Sequence, residues 1–295
     1  MKKVKTYILK LKISIFLIGI TLSVSCQKKS QHDFLSVNHL SNSLKEISGV
    51  TRLPNDSHLY AINDSGNDHT LFRLLENGEI LDEIKIPNSK NIDWEDLTYD
   101  HQNNLYIGDF GNNENKRKKL TIYTVSGITS NSPETSSIEF TLEDQKKFPP
   151  SKKKRNFDIE AFIYKDGSFY LFTKNRSTKF NGETKLYKLL NTPGKKQVAK
   201  LIGTYKTCSD PNDCFISGAA INSKGNKIAL LTYNKIFILS DFEGDHLFNG
   251  KIEKIKLNHF SQKEGICFKN DSTLFIVDER RKNSKGKIYQ YQLEK

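Results

Sequence analysis

The sequence lacks several patterns that would point directly to a function. It contains no HExxH segment and no GxSxG segment, so neither a zincin-type metal site nor a nucleophile elbow is predicted. Lysine-rich clusters at 116–119, 152–155 and 280–282 lack the interleaved aromatic residues of a single-strand stacking surface. We therefore expect no nucleic-acid partner. The apolar run at 13–24 is too short to span a bilayer.

The first 25 residues have the pattern of an export signal. They carry five lysines and no acid, and setting them aside lowers the formal net charge from +12 to +7. The apolar run ends in Leu-Ser-Val-Ser before Cys26, which resembles the bacterial lipobox, although Ser23 stands where leucine is usual. We expect a lipoprotein signal peptide over 1–25, a lipidated Cys26 and a polar tether over 26–33. An ordinary signal peptide with an incidental cysteine is the alternative.

Lipidation would hold the protein at a membrane surface through acyl chains such as palmitate, without spanning the membrane. No acidic run lies beside Cys26 to suggest a special export address. We expect anchoring at the outer membrane of a Gram-negative bacterium, facing the periplasm, with display at the cell surface as the alternative.

Export would place the remaining cysteines in an oxidising compartment. Cys208 and Cys214 bracket the turn-rich segment Ser-Asp-Pro-Asn-Asp, which can fold back and bring the two sulfurs together. This spacing predicts a disulfide. Cys267 lies in an apolar strand pattern and is predicted to be a small buried residue.

A degenerate repeat runs along most of the chain. Two strand-like runs joined by a polar turn recur five times, first as EISGVTRLPNDSHLYAINDSGN from Glu46. The aligned positions of the first run are spaced 47, 65, 57 and 47 residues apart, at Ser48, Glu95, Glu160, Ser217 and Glu264. Units of this length, with turn clusters between β-rich runs, are typical of propeller blades.

The predicted fold is all-β, a single propeller over 34–295 with five four-stranded blades. The outer strands of the first four units are predicted at 70–76, 80–86, 120–126, 137–143, 184–190, 197–205, 235–242 and 251–257. The last unit offers only 287–293, so Phe34–Leu40 is predicted to pair beyond it and close the ring. A sixth blade within 144–157 or 206–215, and a β-sandwich, are the alternatives.

Four phrases of the sequence resemble the SdiA-regulated family of bacterial propellers: Glu46–Gly49, Tyr60–Asp64, Asp93–Asp96 and Tyr106–Asp109. The likeness extends over about residues 44 to 280. The chain is also similar to phytase-like and gluconolactonase-type propellers, which implies a divalent ion held by carboxylates and amides. This fold hosts lactonases, phosphatases and binding modules, so the resemblance implies an architecture and leaves the activity open.

Inner strands of a propeller line its channel, so residues far apart in sequence converge at one mouth. We predict that Glu95, Glu160 and Glu264 share one end of the channel. Candidate metal ligands are Glu95, Glu160, Glu264, Asp109 and Asp278, and candidate ligand-binding residues are Ser48, Asp64, Asp96, Asp158 and Ser217. Converging carboxylates repel one another, and Ca²⁺ or another divalent cation with oxygen ligands would relieve the repulsion. Alternatively, these acids cap strands or accept backbone hydrogen bonds from the next blade.

Two functions agree with this pattern. The first is a module that binds a small molecule or a protein at the channel mouth. The second is a metal-dependent hydrolase, using Ca²⁺, that acts on a lactone, ester or phosphate. An enzyme would show three or four oxygens within reach of one metal ion, whereas a scaffold would show the acids dispersed or already paired. No catalytic residue is assigned.

Overall fold

The computed structural model describes residues 34–54, 56–130, 132–281 and 284–293. The predicted signal peptide, Cys26 and the tether lie outside the described residues. The strands are β1 (Phe34–His39), β2 (Ile47–Thr51), β3 (Leu59–Asn63), β4 (Thr70–Leu74), β5 (Ile80–Lys85), β6 (Trp94–Tyr99), β7 (Leu105–Asp109), β8 (Leu120–Ser126), β9 (Glu134–Leu142), β10 (Asp158–Lys165), β11 (Ser168–Lys174), β12 (Glu183–Leu190), β13 (Gln197–Lys206), β14 (Gly218–Ile221), β15 (Lys227–Leu231), β16 (Lys235–Ser240), β17 (Lys251–Lys256), β18 (Lys263–Asn270), β19 (Thr273–Asp278) and β20 (Lys287–Gln292). Short 3₁₀ helices occupy Asn42–Leu44, Ile128–Ser130 and Lys152–Lys154.

These strands form antiparallel groups of four, which we call blades 1 to 5 in chain order. Blades 1 to 4 are β2–β5, β6–β9, β10–β13 and β14–β17, and blade 5 is β18–β20 with β1 on its outside. The β1–β20 pairing, with Val37 opposite Tyr289 and His39 opposite Lys287, is the ring closure that the sequence predicted. The propeller prediction is confirmed. Residues 144–157 contain a 3₁₀ turn and no strand.

Burial decreases from the channel outward and explains the strand patterns. The inner strand β2 is buried at every residue, as expected for a strand covered on both faces. The outer strand β5 alternates between half-buried and exposed residues because only one of its faces meets a neighbouring blade.

The hydrophobic core is divided among the blade interfaces. Five clusters of buried side chains each lie between consecutive blades, and one of them joins blade 5 to blade 1 through residues such as Val50, Phe275 and Val277. Because each blade is held on both sides by apolar packing, the inner-strand ends keep fixed positions around the channel.

Blades 2 and 3 have an additional connection at their outer edge. Residues 197–199 of β13 pair in parallel with 140–142 of β9, which merges the two blades into one eight-stranded sheet. This contact covers the edge strands of both blades.

The disulfide between Cys208 and Cys214 is present, with their Cα atoms 5.2 Å apart, and Cys267 is a buried free thiol. No helix within the described ranges has the length and apolar character needed to cross a membrane.

The inner strands approach one another so closely that small residues are required beside the channel axis. Gly49, Ala161, Gly218 and Gly265 occupy equivalent registers in four blades. A Cβ atom on Gly49 would lie only 2.9 Å from Cα of Asp96. Asp96 holds the equivalent position in blade 2.

The Asp96 side chain crosses the channel. Its carboxylate accepts hydrogen bonds from the backbone N–H of Leu97 at 2.8 Å, of Phe162 in blade 3 at 3.1 Å and of Ala219 in blade 4 at 3.4 Å. Complete burial raises the pKa of Asp96 well above its usual value, against the opposing effect of these backbone donors. Asp96 thus ties the inner strands of blades 2, 3 and 4 together.

Candidate ligand-binding site at the channel mouth

A β-bulge interrupts the start of four inner strands at equivalent residues. The bulged residues are Ser48, Glu95, Glu160 and Glu264, each of which lies between two paired neighbours of its strand. A bulge leaves one residue outside the regular pairing and redirects its side chain. The repeat therefore delivers three carboxylates and a serine to the same end of the channel.

The cavity at this end has a volume of about 220 Å³. Its acids are Asp64, Asp93, Glu95, Glu160, Glu264 and Glu279. Its basic residues are Lys174 and Arg176, and its other polar residues include Ser48, Asn113, Tyr233 and Gln262. The inner-strand glutamates singled out from the repeat all line this one cavity. The lining carries six acids and two bases, so negative groups are in excess.

Both basic residues of the cavity form ion pairs with two carboxylates in blade 3. Glu160 accepts from Lys174 Nζ at 2.8 Å and from Arg176 Nη2 at 2.7 Å, and Asp158 accepts from Arg176 Nε at 2.6 Å. Burial acts to raise the pKa of Glu160, but the two cations outweigh it and lower the value. Burial and the neighbouring Glu160 raise the pKa of Asp158 to about 8, against the effect of Arg176.

The remaining acids of the lining have raised pKa values. Burial, followed by repulsion from Glu160 and Asp93, raises the pKa of Glu95 well above its usual range. Burial and the nearby Glu279 raise the pKa of Asp64 to about 8. Burial raises the pKa of Glu264 to about 7, although Lys174 opposes the shift. The mouth therefore holds protons near neutral pH that ordinary carboxyl groups would have released.

Three of these carboxylates form a group with the geometry of a metal site. One oxygen each from Glu95, Asp158 and Glu160 lie within 4.8 Å of one another, and all three residues are buried. Carboxylate oxygens suit Ca²⁺ and other hard cations. Two of the three members already receive hydrogen bonds from Lys174 and Arg176, so only Glu95 is uncommitted in this group.

The serines predicted to bind ligand link neighbouring blades. Ser48 Oγ donates to the Trp94 carbonyl at 2.8 Å, and Ser217 Oγ donates to the Lys263 carbonyl at 2.6 Å. Each bond joins one blade to the next, and its acceptor is the carbonyl of the residue directly before a bulged glutamate, Glu95 or Glu264. Of the two, only Ser48 lines the cavity.

Asp109 and Asp278 lie at the ends of second strands and outside the cavity lining. Asp109 accepts from the Asp93 backbone N–H and from Arg117 Nη2, both at 3.0 Å. Asp278 accepts from the Lys287 backbone N–H at 2.7 Å and from Tyr289 Oη at 2.5 Å. These bonds fasten strand ends, which is the alternative role that the sequence left open for the repeated acids.

Sequence reasoning missed Lys174, Arg176, Tyr233 and Glu279, all of which line the cavity. Lys174 pairs with Asp158 across β10 and β11, just as Asp278 pairs with Lys263 across β18 and β19. Lys174 is the last residue of its second strand, and the other three lie one or two residues beyond the ends of second strands, so the segments that follow these strands also carry cavity residues.

A family model described as SdiA-regulated matches residues 26–181, more than half of the chain. The protein belongs to the SdiA-regulated family. No curated protein matches it. Similar solved structures include a protein assigned as a gluconolactonase, which is 14% identical with a TM-score of 0.48, over 86% of this chain and 78% of that chain.

Two further propellers are similar at the same level. The PQQ-bound aldose sugar dehydrogenase of Streptomyces coelicolor is 10% identical with a TM-score of 0.49, over 88% of this chain and 98% of that chain. A β-propeller domain from Myceliophteria thermophila is 9% identical with a TM-score of 0.44, over 87% of this chain and 98% of that chain. At such identities and TM-scores, none of these structures informs the activity of this family member.

The raised pKa values predict that the mouth acids destabilise the fold as pH rises. Asp64 and Glu264 titrate at about 8 and about 7 when folded, against ordinary values of 3.8 and 4.5. Between these limits the folded state binds more protons than the unfolded state, so their contribution to the free energy of unfolding is lost as pH rises. In urea denaturation between pH 5 and 9, Asp64→Asn should flatten the decline and be more stable than the native protein at the alkaline end.

Asp166→Asn is the matched control, because this carboxyl is exposed and lies outside the cavity. It should follow the native curve. The interpretation is wrong if Asp64→Asn and the native protein change in parallel over the whole range.

Proposed function

We propose that the protein is an exported, lipid-anchored propeller that binds a positively charged ligand at the acid-rich mouth of its channel, in the periplasm at the outer membrane. The observation that carries this proposal is the excess of acidic side chains in one cavity at the channel mouth. Its two basic residues are paired with Asp158 and Glu160. The other five acids of the lining have no ion pair among the described residues: Asp64, Asp93, Glu95, Glu264 and Glu279.

Buried carboxylates of like charge can relieve their repulsion by protonation or by binding a cation. The raised pKa values of Asp64 and Glu264 correspond to the first solution. A cationic ligand would supply the second and would displace these protons. Binding at the mouth is thus expected to strengthen as pH rises, until the carboxyls are fully ionised.

The side chains favour binding over catalysis by a protein nucleophile. No histidine is among the residues that line the cavity within the described part of the chain. Ser48, the serine of the lining, donates its hydroxyl hydrogen to the Trp94 carbonyl, and no described residue is a base within hydrogen-bond reach of it.

A metal-dependent hydrolase is the second candidate, and the observation that favours it is the group formed by Glu95, Asp158 and Glu160. The oxygens of these residues would hold a divalent cation, which when bound supplies Lewis acidity to a carbonyl or phosphoryl group. The ammonium of Lys174 and the guanidinium of Arg176 bond to two of these carboxylates, which weakens the fit for a further dication. We therefore place binding first.

Cation binding is tested with the full chain in non-ionic detergent at constant ionic strength. Ca²⁺ and methylammonium are the probes, and thermal melts with calorimetric titration are the measurements. A probe at about 100 times its Kd should stabilise the fold by about 2.7 kcal/mol. Glu95→Gln should remove most of this stabilisation, because Glu95 is the cavity carboxylate that accepts no hydrogen bond from the described residues.

Glu79→Gln changes an exposed acid outside the cavity and should leave the stabilisation intact. If no cation, inorganic or organic, stabilises the native protein, the proposed function is wrong. Turnover of a lactone, ester or phosphate that depends on Ca²⁺ and is reversed by chelator would instead favour the hydrolase.

The anchor is tested by Cys26→Ser. Without the thiol there is no site for the lipid, so palmitate labelling should disappear and the protein should move to the soluble fraction. Ser30→Ala, in the predicted tether, is the control and should keep both properties. Cys26→Ser protein that is still processed and equally bound to membranes would contradict the anchor.

A further inference from the structure

Glu95 is a buried acid whose hydrogen-bonding capacity is unused. Its exposed fraction is 8%, it lines the mouth cavity, and its carboxylate accepts no hydrogen bond from the described residues. Gly111 leaves the space that this carboxylate occupies, since a Cβ on Gly111 would lie 2.0 Å from Glu95 Oε1. A buried carboxylate left without a donor is costly, so this group is suited to accept hydrogen bonds from a ligand.

The same cavity already holds one ammonium group, which shows what chemistry its walls favour. Lys174 Nζ lies 5.0 Å from the ring centroid of Phe215 and 5.8 Å from that of Tyr233, while it donates to Glu160. Carboxylate and aromatic faces together are the surroundings that stabilise an organic cation. Phe215 and Tyr233 pack edge to face with their centroids 4.9 Å apart.

The aromatic surface continues from Tyr233 outward to the rim. Phe260 packs edge to face on Tyr233 at 6.0 Å and leaves 49% of its surface exposed. Phe260 also lies two residues before Gln262, which lines the cavity. We call Phe215, Tyr233 and Phe260 the aromatic wall. Of the three, Tyr233 lines the cavity, and Phe260 extends the aromatic surface beyond the cavity with an exposed ring.

We propose that the ligand of the mouth is an alkylammonium ion, and this rests on the proposed function. Its ammonium group donates to Glu95 among the cavity acids, and its alkyl chain lies along the aromatic wall toward Phe260. An ammonium group has three donors and one positive charge, which matches a carboxylate that lacks donors. The exposed ring of Phe260 accounts for the apolar part, which a bare metal ion does not require.

The charge arrangement separates this ligand from a dication. A divalent ion bound by Glu95, Asp158 and Glu160 would lie beside the cationic groups of Lys174 and Arg176, whereas a monovalent ion at Glu95 meets less repulsion. The aromatic wall adds affinity for an organic cation that grows with its apolar surface.

The test compares n-butylammonium, methylammonium, n-butanol and Ca²⁺ by calorimetric titration of the full chain in non-ionic detergent. We expect n-butylammonium to bind most tightly and n-butanol, which has no charge, not to bind. Glu95→Gln should lower the affinity for n-butylammonium by about tenfold or more, as expected for the loss of a charge-assisted hydrogen bond. Phe260→Ala should lower the affinity for n-butylammonium by roughly threefold and leave the affinity for methylammonium unchanged.

Leu190→Ala is the control for Phe260→Ala, since Leu190 is a large exposed apolar residue outside the mouth lining, with 58% of its surface accessible. It should change none of the affinities. If Ca²⁺ binds but n-butylammonium does not, or if n-butylammonium binds no more tightly than methylammonium, the alkylammonium assignment is wrong while cation binding stands. If no cation binds, both proposals fail.

Discussion

The close approach of the inner strands around the axis is the constraint on which the rest of the structure depends. Four blades place glycine or alanine there, and the missing side chains let the backbones come together. Asp96 fills the fifth position and bonds to backbone N–H groups of two other blades. The inner strands of blades 2, 3 and 4 are thereby linked through one carboxylate, and the residues of the inner-strand bulges line the cavity at one end of the channel.

The inner-strand bulges give the mouth its electrostatic character. The bulges direct Glu95, Glu160 and Glu264 into a small volume, and only the pair around Glu160 receives cations from the protein itself. Repulsion and loss of solvent then raise the pKa of the other carboxyls. A fold without further use for these acids would gain stability from neutral residues, which is why we connect the charge excess with ligand binding.

Much of the fold could be predicted because each unit of the sequence repeat corresponds to one blade. The third strand of blade 2 was predicted at 120–126 and is found at Leu120–Ser126, and the fourth was predicted at 137–143 and begins earlier, at Glu134. The parallel contact between β9 and β13 could not be predicted, since it joins outer strands that are not consecutive in the chain. This contact depends on the relative orientation of two folded blades.

The site could be predicted only in part. The aligned glutamates were found because they hold one register of the repeat, and they do line one cavity. Asp109 and Asp278 look equally acidic in sequence, but their carboxylates are taken by strand-end donors. Lys174 and Arg176 were not predicted because only acidic positions of the repeat were aligned, although a buried pair of carboxylates requires nearby cations.

Burial and repulsion between like charges force carboxyl groups at the mouth to keep their protons. The most direct measurement is an NMR titration of the glutamate side-chain carboxyl carbons in the full chain, repeated with Glu95→Gln to assign one signal. We expect the signal that is lost in Glu95→Gln to titrate well above the ordinary value of 4.5. A Glu95 carboxyl that titrates near the ordinary value would contradict it.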